Sequence, residues 1–384
     1  MSENAVKTQL SIVKRDIWLL SSLTWVPVAL ALTIWWIFSQ GIATNLPIGV
    51  VDLDQSQLSR SFTRHLEATP TLAITQQYSS AAEAKRDLTK SDIYAYVVIP
   101  HEFDKQVRLG RSPQVSVFYN SQYILVGKLI NSAVMQAQGT LNTKLAMGNN
   151  LGQGNSTLSA ALGKALPIQT QITALFNLNS NYAQFLVGAI IPAIWQIGII
   201  VTGIMTLSAN NRERGVHQWL NRQPFLNVIR TLLPYLPLYL LQGIGFLWLF
   251  YGVLNWPMQG SLLIIAIAQV VTVVCCLIMA TLFYFLSLDA ARAMSFAGAF
   301  TAPSFAFMGI TFPVSDMNSL AQFWRSLLPI SHYIEMQVGQ ASYGASIWHS
   351  LNQLTPMIGY LIPALACGYL IKRATQNTAN TETN

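Results

Sequence analysis

At 384 residues, 52% hydrophobic and only 10% charged, with a mean hydropathy of +0.40, the chain is too apolar for a soluble protein, in which roughly a quarter of residues carry charge. Its net charge of +7 does not point to nucleic acid, because the basic residues sit mostly at the ends of apolar runs, where lipid headgroups are the better partners. Cys275, Cys276 and Cys367 all lie inside apolar runs, which excludes a disulfide framework.

In chain order, Lys7, Lys14 and Arg15 precede an apolar run over residues 17–38. A signal peptide has the same layout. The run is nevertheless long enough to cross a bilayer and no clear A-x-A-like cleavage site follows, so residues 1–40 read as an uncleaved first span behind a short interfacial helix. Composition then changes. Residues 41–183 hold 11 of the 22 Lys and Arg and 8 of the 15 acidic residues, which makes them a water-soluble insert.

The first half of the insert alternates strand and helix patterns. PIGVVDLD is a strand, and QSQLSRSFTRHLEA is a helix with Leu58, Phe62 and Leu66 on one face. TLAIT is a strand, SSAAEAKRDL a helix with a Ser cap, IYAYVVIP a strand, HEFDKQVRLG a helix stopped by Gly110, and QVSVFYN the last strand. This pattern predicts a small α/β domain. A long helix over residues 123–147 follows, breaks at GNNLGQGN, and resumes toward Ala183 as a stalk.

The remainder, 184–384, is nearly all membrane, with spans expected at 185–207, 228–250, 262–285, 294–310 and 354–371. Residues 208–226, which include NNRERGVHQWLNRQP, form a basic loop. Residues 311–351, rich in Trp, Pro and Tyr, suit a re-entrant or interfacial segment before the last span. The fold class expected is thus an α-helical polytopic membrane protein with six transmembrane helices and an inserted extracytoplasmic α/β domain. If the first crossing runs outward, ten basic residues of the termini and short loops fall on the cytoplasmic face and only Arg325 outside, so both termini are expected to be cytoplasmic.

No ionisable residue occupies the middle of an expected span, which argues against ion or proton coupling. Neutral groups such as Gln196, Thr202, Gln242 and Gln269 remain, either as helix-to-helix hydrogen bonds or as the lining of a path for an amphipathic or lipid-like cargo. No G-x-x-x-x-G-K-[ST] occurs, so no P-loop is expected, and neither G-x-S-x-G nor H-E-x-x-H is present. No metal site is expected: His332 has no second His or Cys at ligand spacing. A membrane-anchored extracytoplasmic sensor or scaffold is the alternative class, but the inner loops and tails are too short to fold as an effector domain.

Three blocks of sequence carry a family resemblance. They are VVDLDQSQLSRSF with AAEAKRDLTKSDIYAYVVIPHEFDKQV; RERG with a Pro nine residues after the Gly; and MGITFPVSDM with LLPISHYIE and YGASIW. In this order, between the expected spans, they resemble an ABC-2-type transporter permease, in the group of exporters with a large outer domain between the first and second spans. The resemblance implies a cytoplasmic ABC ATPase partner that binds ATP and Mg, with no cofactor on this chain, and a dimer with a second copy or a paralogue. It also implies a bacterial inner-membrane location. By the same analogy, a periplasmic adaptor and an outer-membrane channel are partners for the outer domain.

Arg212, Glu213, Arg214 and Gly215 match the coupling segment of such permeases, with Trp219 beside them; a simple positive-inside anchor is the competing reading of the two arginines. Val216 and His217 depart from the Thr and acidic residue frequent there. Gly309, Phe312, Pro313, Pro329 and His332 match positions near the external mouth, where they would serve as an outer gate or simply break a helix within an aromatic belt.

Overall fold

The structure, a computed structural model, describes residues 3–39, 41–152, 176–177 and 181–382. The chain divides into two compact units. One joins Met1–Gly41 to Ala174–Asn384, and the other is Ile42–Thr173, which ends earlier than the expected insert of 41–183.

The first unit opens with α1 (Glu3–Arg15), α2 (Ile17–Leu23) and α3 (Trp25–Phe38). The straight first span expected over 17–38 is instead bent by 45° at Thr24. The cause is local. Pro27 has no amide hydrogen for the carbonyl four residues back, that of Leu23, and this carbonyl accepts from Gln242 Nε2 at 2.7 Å instead. The Thr24 hydroxyl turns back to the Leu20 carbonyl at 2.7 Å.

The second unit carries a four-stranded sheet of β1 (Leu46–Asp52), β2 (Leu72–Tyr78), β3 (Ala95–Ile99) and β4 (Ser116–Tyr119) in the order β2-β1-β3-β4. β1 runs parallel to β2 and β3, with Ile48 opposite Ala95, and β4 is antiparallel to β3. Between the strands lie α4 (Gln57–Glu67), α5 (Ala81–Lys90) and α6 (Phe103–Arg108), and α7 (Ile124–Gly152) follows.

Period-2 alternation divides the sheet's residues between two faces. Leu46, Ile48 and Val50 pack with Phe62 and Leu66 of α4 and Ile130 and Val134 of α7, whereas Val51 and Tyr96 pack with Ala84 of α5. Ser56 and Ser80 cap α4 and α5, accepting from Ser59 N at 3.0 Å and Glu83 N at 3.4 Å. α6 lacks a cap of its own. Asp54, 49 residues away, accepts from Phe103 N at 3.0 Å and Asp104 N at 3.1 Å. Burial works to raise the Asp54 carboxyl, but the Ser56 hydroxyl and these two amides hold it below the usual carboxylate value. α7 runs into the GNNLGQGN stretch as far as Gly152; the rest of that stretch and almost all of the expected stalk lie outside the described residues.

The first unit resumes with α8 (Tyr182–Trp219), α9 (Pro224–Leu232), α10 (Leu236–Leu247) and α11 (Leu262–Ser287). It continues with α12 (Ala290–Thr301), α13 (Ser304–Phe307), α14 (Ser319–Ser326), α15 (Pro329–Tyr343), α16 (Ile347–Leu354) and α17 (Leu361–Glu382). Among the described residues, four helices are long and apolar enough to cross a membrane: Tyr182–Trp219, Pro224–Val253, Leu262–Ser287 and Ile347–Gln376. There are five if the bent pair α2 and α3 is one span.

Six spans were expected, and the difference falls on residues 294–310. These do not form one helix; the chain breaks between α12 and α13 at Ala302 and Pro303. Pro303 again withholds an amide from the preceding turn. Within residues 311–351, expected as a re-entrant or interfacial segment, α15 is buried over most of its length and packed against α8 and α11. The core of the bundle is the α8–α11 seam, where Ile200 and Ile204 meet Cys276 and Tyr284, and where a Cβ on Gly203 would come within 2.8 Å of Ala280.

Candidate functional site

At about 1.5 Å per residue, the part of α8 that precedes Gly215, residues 182–214, extends roughly 50 Å, far more than the ~30 Å hydrocarbon core of a bilayer. The segment 208–226 is therefore not the loop the sequence suggests. It begins as a helical extension of α8 that projects beyond the membrane-crossing stretch. Asn210, a residue that favours loops, stays helical because its side chain is engaged. It is fully buried and exchanges two hydrogen bonds with Gln9 of α1, at 2.9 and 3.0 Å, while Tyr235 donates to Gln9 Oε1 at 3.2 Å.

Two residues further on, Arg212 Nη2 donates to Asp16 Oδ2 at 2.9 Å, and Asp16 Oδ1 caps α2 by accepting from Leu19 N at 3.1 Å. Arg212 and Glu213 are exposed and Arg214 is half-buried. An open polar cleft of about 310 Å³ lies here, lined by Arg15, Asp16, Trp18, Arg212 and Glu213 among others.

The helical extension turns at Gly215, with φ 68° and ψ 153°. That region is essentially closed to any residue with a side chain. A Cβ on Gly215 would meet nothing within 4 Å, so its requirement is conformational and not one of space. After the turn the chain is anchored. Trp219, grouped with the expected coupling residues, is 4% exposed, donates from Nε1 to Thr231 Oγ1 at 2.9 Å and stacks on Phe285. Its role is to fasten the turn to α9 and α11, and the residues left at the surface are Arg212, Glu213, His217 and Gln218.

The second set of residues is gathered near α15. Gly309 has φ 84°, and a Cβ there would lie 2.7 Å from Val314 Cγ2 and 3.5 Å from Arg325 Nε. Phe312 and Pro313 are exposed. Pro329 is buried at the first turn of α15, and His332 is 4% exposed with Nε2 3.1 Å from the Ser326 carbonyl oxygen. Sequence reasoning missed the ion pair that organises this region, Arg325 with Glu335, in which the Arg325 side chain is only 12% exposed. Nothing in the local pattern links these two residues.

Of the four neutral polar residues, two share a cavity. Thr202 and Gln242 line a space of about 140 Å³ with Ser22 and Tyr239, beside the bend at Thr24. Thr202 Oγ1 lies 2.8 Å from the Tyr239 hydroxyl. The other two are elsewhere. Gln196 donates to Ser304 Oγ at 3.2 Å and accepts from Ile330 N at 3.0 Å, and Gln269 donates to the Tyr333 hydroxyl at 3.0 Å. Among the described residues, no group of three or more His, Cys, Asp or Glu side chains is placed to hold a metal ion.

A family model described as an ABC-2 family transporter protein matches residues 17–371. The chain belongs to this family. No curated protein matches it. An ABC-2 permease is the membrane subunit of a transporter and partners an ABC ATPase subunit. The match begins at Ile17, so α1 with Gln9, and Asp16, which together hold the far end of α8, precede it.

Proposed function

We propose that this ABC-2 permease serves an ATP-driven exporter, and that the end of α8 from Asn210 to Gly215 is the face on which the ATPase subunit acts. The observation that supports it is the turn at Gly215. A glycine-only backbone sits between an exposed charged helix end and a buried Trp219 anchor, so force applied at Arg212 and Glu213 passes into α8, α9 and α11. ATP and Mg belong to the partner. The charge distribution favours both termini on the cytoplasmic side of a bacterial inner membrane, with the α/β domain outside. α12 and α13, two helical pieces either side of the break at Ala302 and Pro303, serve in this reading as the remaining crossing of six.

The chain works as a dimer, with a second copy or a paralogue, and a periplasmic adaptor leading to an outer-membrane channel is the partner of the α/β domain. The cargo is amphipathic or hydrophobic, drug-like or lipid-like, and the neutral cavity at Thr202 and Gln242 suits an uncharged hydrogen-bonding group on an apolar body.

Co-purification from native membranes in mild detergent tests the reading. An ATPase subunit is expected to come down with the wild type, and its activity to be lost or uncoupled in the Glu213→Ala, Arg214→Ala double variant. If no ATP-hydrolysing subunit associates even after crosslinking, the exporter reading fails and the sensor or scaffold alternative takes its place.

A further inference from the structure

An open groove of about 330 Å³ runs between α9, α11 and α17, walled by residues such as Val228, Leu232, Leu277, Thr281, Ala364 and Cys367. Its walls belong to three of the candidate spans, so it opens toward lipid hydrocarbon. The only hydroxyl in the wall, that of Thr281, already donates to the Leu277 carbonyl at 2.8 Å, and the Cys367 thiol to the Ile278 carbonyl at 3.5 Å, which leaves a surface that offers an occupant apolar contact.

One end of the groove is different. Ile229 and Ile371 line it, and each is followed directly by a cation, Arg230 and Lys372, with Arg373 next and Arg222 one turn before Phe225, another lining residue. All four are exposed, and none is paired with a carboxylate among the described residues.

We propose that this groove is a binding site for an anionic phospholipid, with one acyl chain in the apolar cleft and the phosphate among Arg222, Arg230, Lys372 and Arg373. The two halves of the site match the two halves of such a lipid: a wall without free donors or acceptors, then unneutralised cations one to three residues along the chain from that wall, at the ends of two candidate spans. A second copy of the chain fits less well. A two-fold interface sets each patch against itself, so it would bring these four cations against four more. The site is separate from the cavity at Thr202 and Gln242, and it does not depend on the export reading.

The test is native mass spectrometry on the purified full chain, with phosphatidylglycerol and phosphatidylcholine of identical acyl chains as probes. Wild type should retain phosphatidylglycerol through delipidation in preference to phosphatidylcholine. Neutralising Arg230, Lys372 and Arg373 to Gln should reduce that preference by about fivefold per charge while leaving phosphatidylcholine retention unchanged. Ala364→Trp, which fills the cleft, should remove retention of both; Ala364→Leu, a milder filling, should weaken it and serves if the Trp variant does not fold.

Equal retention of the two lipids by wild type, or phosphatidylglycerol retention unchanged in both the charge variant and the filled-groove variants, would overturn the assignment. So would loss of a dimer, without loss of bound lipid, in the filled-groove variants, because a second copy would then be the occupant.

Discussion

Gly215 and Gly309 both have positive φ, yet they sit in opposite kinds of surroundings. At Gly215 an added Cβ would meet nothing, and the neighbouring Arg212 and Glu213 are exposed. At Gly309 an added Cβ would collide with Val314, while the neighbouring Arg325 is largely buried and already paired with Glu335. One turn is open to something outside the chain; the other is closed on itself by packing and charge. A glycine that fixes direction without packing contacts can have its surroundings changed by a partner, whereas one locked by contacts holds its own region in shape.

Substitutions at the closed turn should have the largest effects. Gly309→Ala combines an unfavourable φ with overpacking and should cost about 2–4 kcal/mol, measured as a lower apparent melting temperature of the detergent-solubilised chain. Glu335→Ala leaves the Arg325 guanidinium in a mostly buried position without its partner and should cost about 1–3 kcal/mol in the same assay. Gly215→Ala should be milder for stability, about 1–2 kcal/mol from backbone conformation alone. It should nevertheless abolish stimulation of the partner's ATP hydrolysis, read on the co-purified complex. If Gly215→Ala destabilises as much as Gly309→Ala, or leaves ATP hydrolysis untouched, the contrast between the two turns is lost.

Much of this was legible in the sequence, for identifiable reasons. The α/β unit follows its pattern element by element because period-2 alternation and Ser caps act locally; Ser80 supplies the cap expected for its helix, and Ser56, read as part of the next helix, caps that one. The bend at Thr24 and the break at Pro303 were also within reach, since each follows from a proline that withholds an amide, but mean hydropathy hides both.

Other features depend on distant partners. Asn210 and Asn211 read as a loop because the partner of Asn210 is Gln9, 201 residues away. Trp219 read as a surface handle because Phe285 and Thr231, which bury it, carry no mark of that role. α15 read as part of a re-entrant or interfacial segment because its polar side chains lower its hydropathy; several of them are satisfied inside the bundle. Gln337 donates to the Gly188 carbonyl at 2.9 Å, and Gln340 to Ser350 Oγ at 2.6 Å.

The smallest effect should come from Asp16, and it separates two roles of one side chain. Oδ1 caps α2 through Leu19 N, and Oδ2 pairs with Arg212, whose side chain is 66% exposed. Asn caps a helix about as well as Asp, so Asp16→Asn removes the charge and keeps the cap. An exposed ion pair contributes little to stability, at most about 0.5 kcal/mol, so this variant should melt within that margin of wild type. Asp16→Ala also loses the cap and should cost about 1 kcal/mol. If the exposed end of α8 is tied to the first span by the charge pair, Asp16→Asn and Arg212→Gln should impair ATPase stimulation equally, and the double variant no more than either alone. Additive losses in the double variant would mean that Arg212 meets the partner directly and that Asp16 serves only its own helix.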